Sequence, residues 1–288
     1  MPFGAGFFLY KKYMNNLKKI KLLVASALLS STTAGYANDC TDTSATNCGI
    51  TISGNQTIDI GSSIDVEDVK GINITSSSNT LTIDGDITVN SSVDRAFGLN
   101  IDNGGNNNVI NMTGDISTIS TGGATGMHGI RIGPNSSINT VNVTGNVSTT
   151  GANSVGIMII EGGDNNNVTL FGNINTSGGS NANGVRITGQ NSSNFGINNH
   201  ITVNGDISTV SSHAIGIAGY AHDSYIVVNG NVQSTNNAGI HISATDTINN
   251  IVTINGNIST SATSANPTIA FNTGASDNLV VIDGNVTQ

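Results

Sequence analysis

Apolar and polar residues alternate along most of this chain in short runs, and the runs recur with the same punctuation. Eight times a pair of alternating aliphatics is followed by Gly, then Asp or Asn, then Ile or Val: TIDGDI, NMTGDI, NVTGNV, TLFGNI, TVNGDI, VVNGNV, TINGNI and VIDGNV. The glycines are Gly85, Gly114, Gly145, Gly172, Gly205, Gly230, Gly256 and Gly284, a mean spacing of about 28 residues. Periods of this size signify stacked repeats. Midway through each unit a second phrase begins, a Gly followed by alternating aliphatics: GINI at Gly71, GLNI at Gly98, GIRI at Gly129, GIMI at Gly156, GVRI at Gly184, GIAG at Gly216 and GIHI at Gly239. A unit read from Gly129 holds GIRI, an Asn/Ser-rich turn, TVNVTG and NVSTT, each with the period-two alternation of a half-buried strand.

Three strands separated by turns in about 28 residues make one coil of a parallel β-helix. A lone coil cannot pair its backbone groups and has only half a core; stacking coils about 4.8 Å apart satisfies both needs. Ile130, Ile132, Val141, Val143 and Val147 are then expected to point inward in aliphatic columns. The glycines are expected at corners that need positive φ or close backbone approach, with the following Asx bonding its own turn. Gaps of 33 residues (Gly172 to Gly205) and 25 (Gly205 to Gly230) place insertions in turns.

Other repeat architectures fit less well. A propeller needs blades of about 40–45 residues, and a left-handed hexapeptide helix needs a six-residue period. Calcium-binding nonapeptide rolls need tandem GGxGxD copies, which DNGGNNN from Asp102 and EGGDNNN from Glu161 do not provide. The expected fold is therefore all-β: a parallel, right-handed β-helix of about 28 residues per coil over 54–288.

Composition adds a location. Charged residues are only 9% of the chain, while an ordinary soluble protein has about 25%; a surface of neutral hydrogen-bonding groups suits an exported solenoid. From Asp39 onward eighteen acidic residues face four basic ones, Lys70, Arg95, Arg131 and Arg186, a net charge of −14. Nucleic acid is thereby excluded as a partner recognised through a basic patch. Lys18, Lys19 and Lys21 precede LLVASALLSSTTAGYA, so residues 1–37 read as a secretory signal peptide with Gly35 and Ala37 at the −3 and −1 places. The apolar run Leu22–Leu29 is too short to span a bilayer. Two starts fit, Met1 with an extended leader or Met14.

Residues 38–53 are expected to form an N-terminal cap. Cys40 and Cys48, the two cysteines of the chain, read as a disulfide in an oxidising compartment; a metal site is the weaker reading, since no His lies near either thiol. At the other end the last residues, GNVTQ to Gln288, directly follow the eighth phrase without an atypical capping unit. The expectation is that the repeats continue in a longer protein or that a partner covers this end.

The leader, the early Cys pair and repeats such as TVNGDIST and TINGNIST resemble the N-terminal passenger region of bacterial autotransporters, the type V secreted proteins. The resemblance covers Gly49 to Gln288 and rests on repeat style. It implies a passenger delivered through an outer-membrane β-barrel translocator, expected in cis and not present in this chain. It also implies display at the cell surface or release outside the cell, and adhesion to host or cell-surface ligands. The expected function is that of a non-enzymatic structural or adhesive passenger.

The runner-up is a polysaccharide-active enzyme of the pectin-lyase type, which shares this fold and would need carboxylates for calcium and a basic group converging in one groove. Aligning the Gly–aliphatic strands puts Arg131, Met158, Arg186, Ala218 and His241 in one outward column without a carboxylate, so the arginines read as solvated. Asp102, Glu161, Asp164, Asp223, Asp246 and Asp277 read as solvated turn residues without the regular spacing of a cation site. His128, His200, His213, His222 and His241 read as surface or turn residues, and no GxSxG elbow occurs. Trp is absent, which disfavours both a lectin platform and a lyase. No catalytic, cofactor or metal residue is therefore assigned from the sequence.

Overall fold

Alternation with period two places every second side chain of each short run on one face, and the structure closes three such faces around a common interior. The computed structural model describes residues 36–38, 49–244, 246–261 and 267–288. These belong to the unit Tyr36–Gln288; the other unit, Met1–Gly35, lies outside the described residues. The expected signal peptide therefore lies almost wholly outside them, as do Cys40, Cys48 and most of the expected cap.

Each coil contributes one strand to each of three parallel sheets. The first sheet runs Ile50–Ile52, Ile72–Ile74, Leu99–Ile101, Ile130–Ile132, Ile157–Ile160, Val185–Thr188, Ile215–Ala218, Ile240–Ser243 and Ile269–Phe271, and Tyr36–Asn38 joins its N-terminal edge antiparallel. The second and third sheets hold nine strands each. The expected parallel β-helix is what the chain forms. One feature exceeds the expected three strands: from the coil with the 33-residue spacing onward, a short fourth strand appears between the first and second (Gly196–Ile197, Ala221–His222, Thr247–Ile248, Ala275–Ser276).

The core is a set of aliphatic columns. Ile130, Ile132, Val141, Val143 and Val147 are fully buried, and Ile157, Ile159, Val168, Leu170 and Ile174 repeat the arrangement one coil on. Each such side chain contributes about 1.5–3 kcal/mol. The threonine ending the third strand faces inward: Thr118, Thr149, Thr176 and Thr209 are buried and donate to the carbonyls of Met127, Ser154, Ala182 and Ser212 in the following turn.

The repeat glycines meet both expectations: Gly85, Gly114, Gly145 and Gly172 have φ between 142° and 158°, and the corners also approach one another closely. A Cβ on Gly114 would sit 2.3 Å from the carbonyl oxygen of Gly85, on Gly145 2.1 Å from that of Gly114, and on Gly172 2.0 Å from that of Gly145. The same contact recurs at Gly205, Gly230, Gly256 and Gly284. The Asx that follows does not bond its own turn as expected. Its side-chain oxygen accepts the backbone N–H of the next coil's Asx instead: Asp115 N–H to Asp86 (2.8 Å), Asn146 to Asp115 (2.6 Å), Asn173 to Asn146 (3.0 Å), Asp206 to Asn173 (2.8 Å), Asn231 to Asp206 (2.7 Å), Asn257 to Asn231 (3.0 Å) and Asn285 to Asn257 (2.9 Å). The glycine brings the corners close enough for a short side chain to span them.

A second ladder lies at the start of the second strand and is buried. Asn79, Asn108, Asn139, Asn166, Asn199 and Asn250, with Ser224 in the Asn place, accept with their side-chain oxygens the N–H of the equivalent residue one coil earlier at 2.9–3.2 Å. Their amide groups donate to turn carbonyls, as Asn139 Nδ2 does to Gly105 (2.9 Å) and Asn199 Nδ2 to Gly163 (2.7 Å). Burial of these amides is tolerated because their polar groups find partners.

Candidate functional site

The outward face of the first sheet carries the basic residues. Strand register gives the column Asn73, Asn100, Arg131, Met158, Arg186, Gly216, His241 and Ala270. The expected column is thus corrected at one place: Gly216, not Ala218, follows Arg186, and Ala218 pairs with Thr188. Reading GIAG as the strand phrase shifts that coil by two residues. In a strand a two-residue slip leaves every side chain on the same face, so periodicity could not detect it. Ala214 occupies the place of Gly184.

With the register set, the residues two places before the first strand form a second column: Lys70, Phe97, His128, Val155, Asn183 and His213. Phe97 and His128 stack with ring centroids 5.3 Å apart and planes 4° apart. Lys70 Nζ lies 5.6 Å from the Phe97 ring on one side, and the Arg131 guanidinium carbon lies 5.0 Å from it. His128 was expected at the surface; it is buried, and Val155 N–H donates to its Nδ1 at 3.0 Å. That bond puts the ring proton on Nε2. Burial first, then the positive charges of Arg131, Arg186 and Arg95, push His128 down to about 3.

These two columns floor a cavity of about 630 Å³ across successive coils. One wall is the turns entering the first strand, with Asp94, Arg95, Thr125 and Asn153; the other is the turns leaving it, with Asp102, Pro134 and Glu161. Three of the four basic residues beyond Asp39 line this cavity, and the fourth, Lys70, sits over Phe97 beside it.

The charges within it are committed unequally. Arg131 Nη1 pairs with Asp102 Oδ2 at 3.0 Å and donates to Asn100 Oδ1 at 2.9 Å. Asp94 accepts from Thr125 N–H at 2.6 Å and from the Thr125 hydroxyl at 3.0 Å, which holds its carboxyl below the ordinary range. Arg186 is half-buried yet donates no hydrogen bond and forms no ion pair among the described residues, and burial lowers its proton affinity. Glu161 lines the opposite wall without pairing to either arginine.

The expectation of solvated arginines on a strand face is therefore corrected. Arg131 is ion-paired to a turn residue of the preceding coil, and Arg186 is half-buried in a cavity. The other turn carboxylates stay apart: Asp164 accepts from Ile197 N–H at 2.8 Å and Asp223 from Asn249 Nδ2. Among the described residues no three His, Cys, Asp or Glu converge as a cation site would require. Further along, His213 and His241 face each other with ring centroids 4.1 Å apart beside a cavity of about 570 Å³. Burial and then the neighbouring His241 push His213 down to about 4, and burial lowers His241.

The burial of His128 makes acid stability predictable. A histidine with a folded value near 3 and an unfolded value of 6.5 is neutral when folded and takes a proton on unfolding, so its contribution is complete above pH 6.5 and fades as pH falls towards 3. Urea midpoints should fall steadily from pH 7 to pH 4.5. His128→Phe, which keeps the stacked ring, should reduce the slope by about 1.4 kcal/mol per pH unit below pH 6. An unchanged slope would remove His128 from this role.

No protein-family model, curated protein or solved structure matches this chain.

Proposed function

We propose that the chain is a non-enzymatic structural or adhesive passenger, exported through its N-terminal leader and displayed at a bacterial cell surface or released from it. The reading is supported above all by uniformity. The same core columns, the same Asx ladder and the same buried asparagine ladder run from coil to coil, so the unit Tyr36–Gln288 stacks about nine coils, near 40 Å along their axis at the strand spacing. Turns between coils are free to vary and to carry recognition loops. Delivery through an outer-membrane β-barrel translocator belongs to the same proposal and follows from the resemblance of the repeats.

One observation favours the runner-up, a polysaccharide-active enzyme: arginines and carboxylates do converge in a single cavity. The two readings separate in one experiment. Under the passenger reading, the Arg131→Ala/Arg186→Ala double variant keeps its cooperative melt and its surface display, losing about 1–2 kcal/mol through the Asp102 pair and the Phe97 contact. Under the enzyme reading the natural chain depolymerises acidic glycans and the double variant does not. Detected cleavage by the natural chain would replace the passenger proposal.

A further inference from the structure

Arg186 stands apart from the other cations of the cavity. Arg131 already holds Asp102 and Asn100, whereas Arg186, two strands along the same column, holds nothing among the described residues. A guanidinium drawn half out of water without a partner is costly, and its planar fork is shaped to donate two parallel bonds to an oxyanion. A further donor faces the same space. Because His128 Nδ1 is occupied by Val155 N–H, Nε2 carries the proton, and it makes no hydrogen bond among the described residues. Arg186 and His128 line the same cavity, two coils apart along its floor. Two of the three cavity carboxylates are meanwhile neutralised or bonded, Asp102 by Arg131 and Asp94 by Thr125. Glu161 alone of the three has no side-chain partner among the described residues.

We propose that this cavity is a binding site for the carboxylate or sulfate group of a small organic acid, held by the Arg186 guanidinium and the Nε2–H of His128. A volume of about 630 Å³ leaves room for the organic body that carries the group. Asn153, Thr125 and Glu161 on the walls offer it polar contacts. Arg95, at the exposed rim, supplies a second positive charge on the way in. Glu161 opposes the anion and so limits its affinity. The site does not depend on the passenger reading, since a spacer rod and a glycan-active enzyme could equally carry it.

The test is titration of the folded full chain with sodium acetate, sodium sulfate and sodium phosphate at constant ionic strength, followed by calorimetry and by the Nε–Hε resonance of Arg186. Saturable binding near millimolar or tighter is expected, since two donors converge on one charged group. Acetate strongest would identify a carboxylate, sulfate strongest a sulfate ester, and phosphate strongest would overturn the proposed ligand class. Arg186→Gln should weaken binding roughly tenfold or more, and Glu161→Gln should strengthen it several-fold, both with the cooperative melt retained. Absence of saturable binding by all three ions, or an Arg186→Gln variant that binds as well as the natural chain, would overturn the site. Should Arg186→Gln fail to fold, the Glu161→Gln result decides, because an unchanged affinity there is incompatible with a bound anion beside that carboxylate.

Discussion

Ile157→Asp should abolish the folded solenoid. Ile157 is fully buried between Ile130 and Val185 in the first-sheet column. A carboxylate there would have aliphatic neighbours above and below and no donor to meet it. Burying an unpaired polar group costs several kcal/mol, and the lost isoleucine adds about 2–5 kcal/mol for the cavity and transfer terms. Because each coil is stabilised by its neighbours, the break is expected to cost both the coil before and the coil after. Circular dichroism should show a lost or strongly lowered β-type melt. Ile157→Val, which removes one methylene, should cost only about 1 kcal/mol. A cooperative melt in Ile157→Asp close to that of the natural chain would refute the inward placement.

Gly145→Ala should cost about 3 kcal/mol or more, although it adds a single methyl group at a corner. The new Cβ would lie 2.1 Å from the carbonyl oxygen and 2.5 Å from the carbonyl carbon of Gly114, and both are backbone atoms that can move only if the coils separate. Separation would lengthen the bond by which Asn146 N–H reaches Asp115, now 2.6 Å. Gly61→Ala is the matched control: nothing lies within 4 Å of its Cβ, so a change within about 0.5 kcal/mol is expected. Chemical denaturation of the two variants side by side measures the contrast. Equal midpoints would refute the close coil-to-coil approach at Gly145.

Much of the chemistry that the structure reveals was present in the sequence but concealed by register. The buried asparagine ladder stands at a constant place, since Asn79, Asn108, Asn139, Asn166, Asn199, Asn250 and Asn278 each lie six residues before a repeat glycine. In a chain so rich in asparagine that offset was drowned by exposed copies. The Phe97–His128 stack was likewise readable as the position two places before each first strand. One coil, HAIGI from His213, lacks glycine at its start and invited a two-residue slip that hid His213 from the column. The ion pair of Arg131 had no such signal: Asp102 lies 29 residues earlier in a turn of variable length, and nothing in a local pattern says that the turn folds over the next coil.

The division between sequence and tertiary structure therefore follows from the range of each interaction. Alternation with period two, punctuated every 28 residues or so, was enough by itself to determine strands, coils, the parallel stacking and the identity of the inward columns, because each depends on residues a few places apart repeated many times. Only the tertiary structure decided what lies between coils. It placed the glycine against the carbonyl one coil earlier, turned the Asx side chain to the next coil instead of its own turn, buried His128 under Phe97, and left Arg186 without a partner among the described residues, in a cavity whose walls come from turns of different lengths. Such contacts are set by the axial rise of the helix and by the paths of the turns, and those quantities exist only once the coils are stacked.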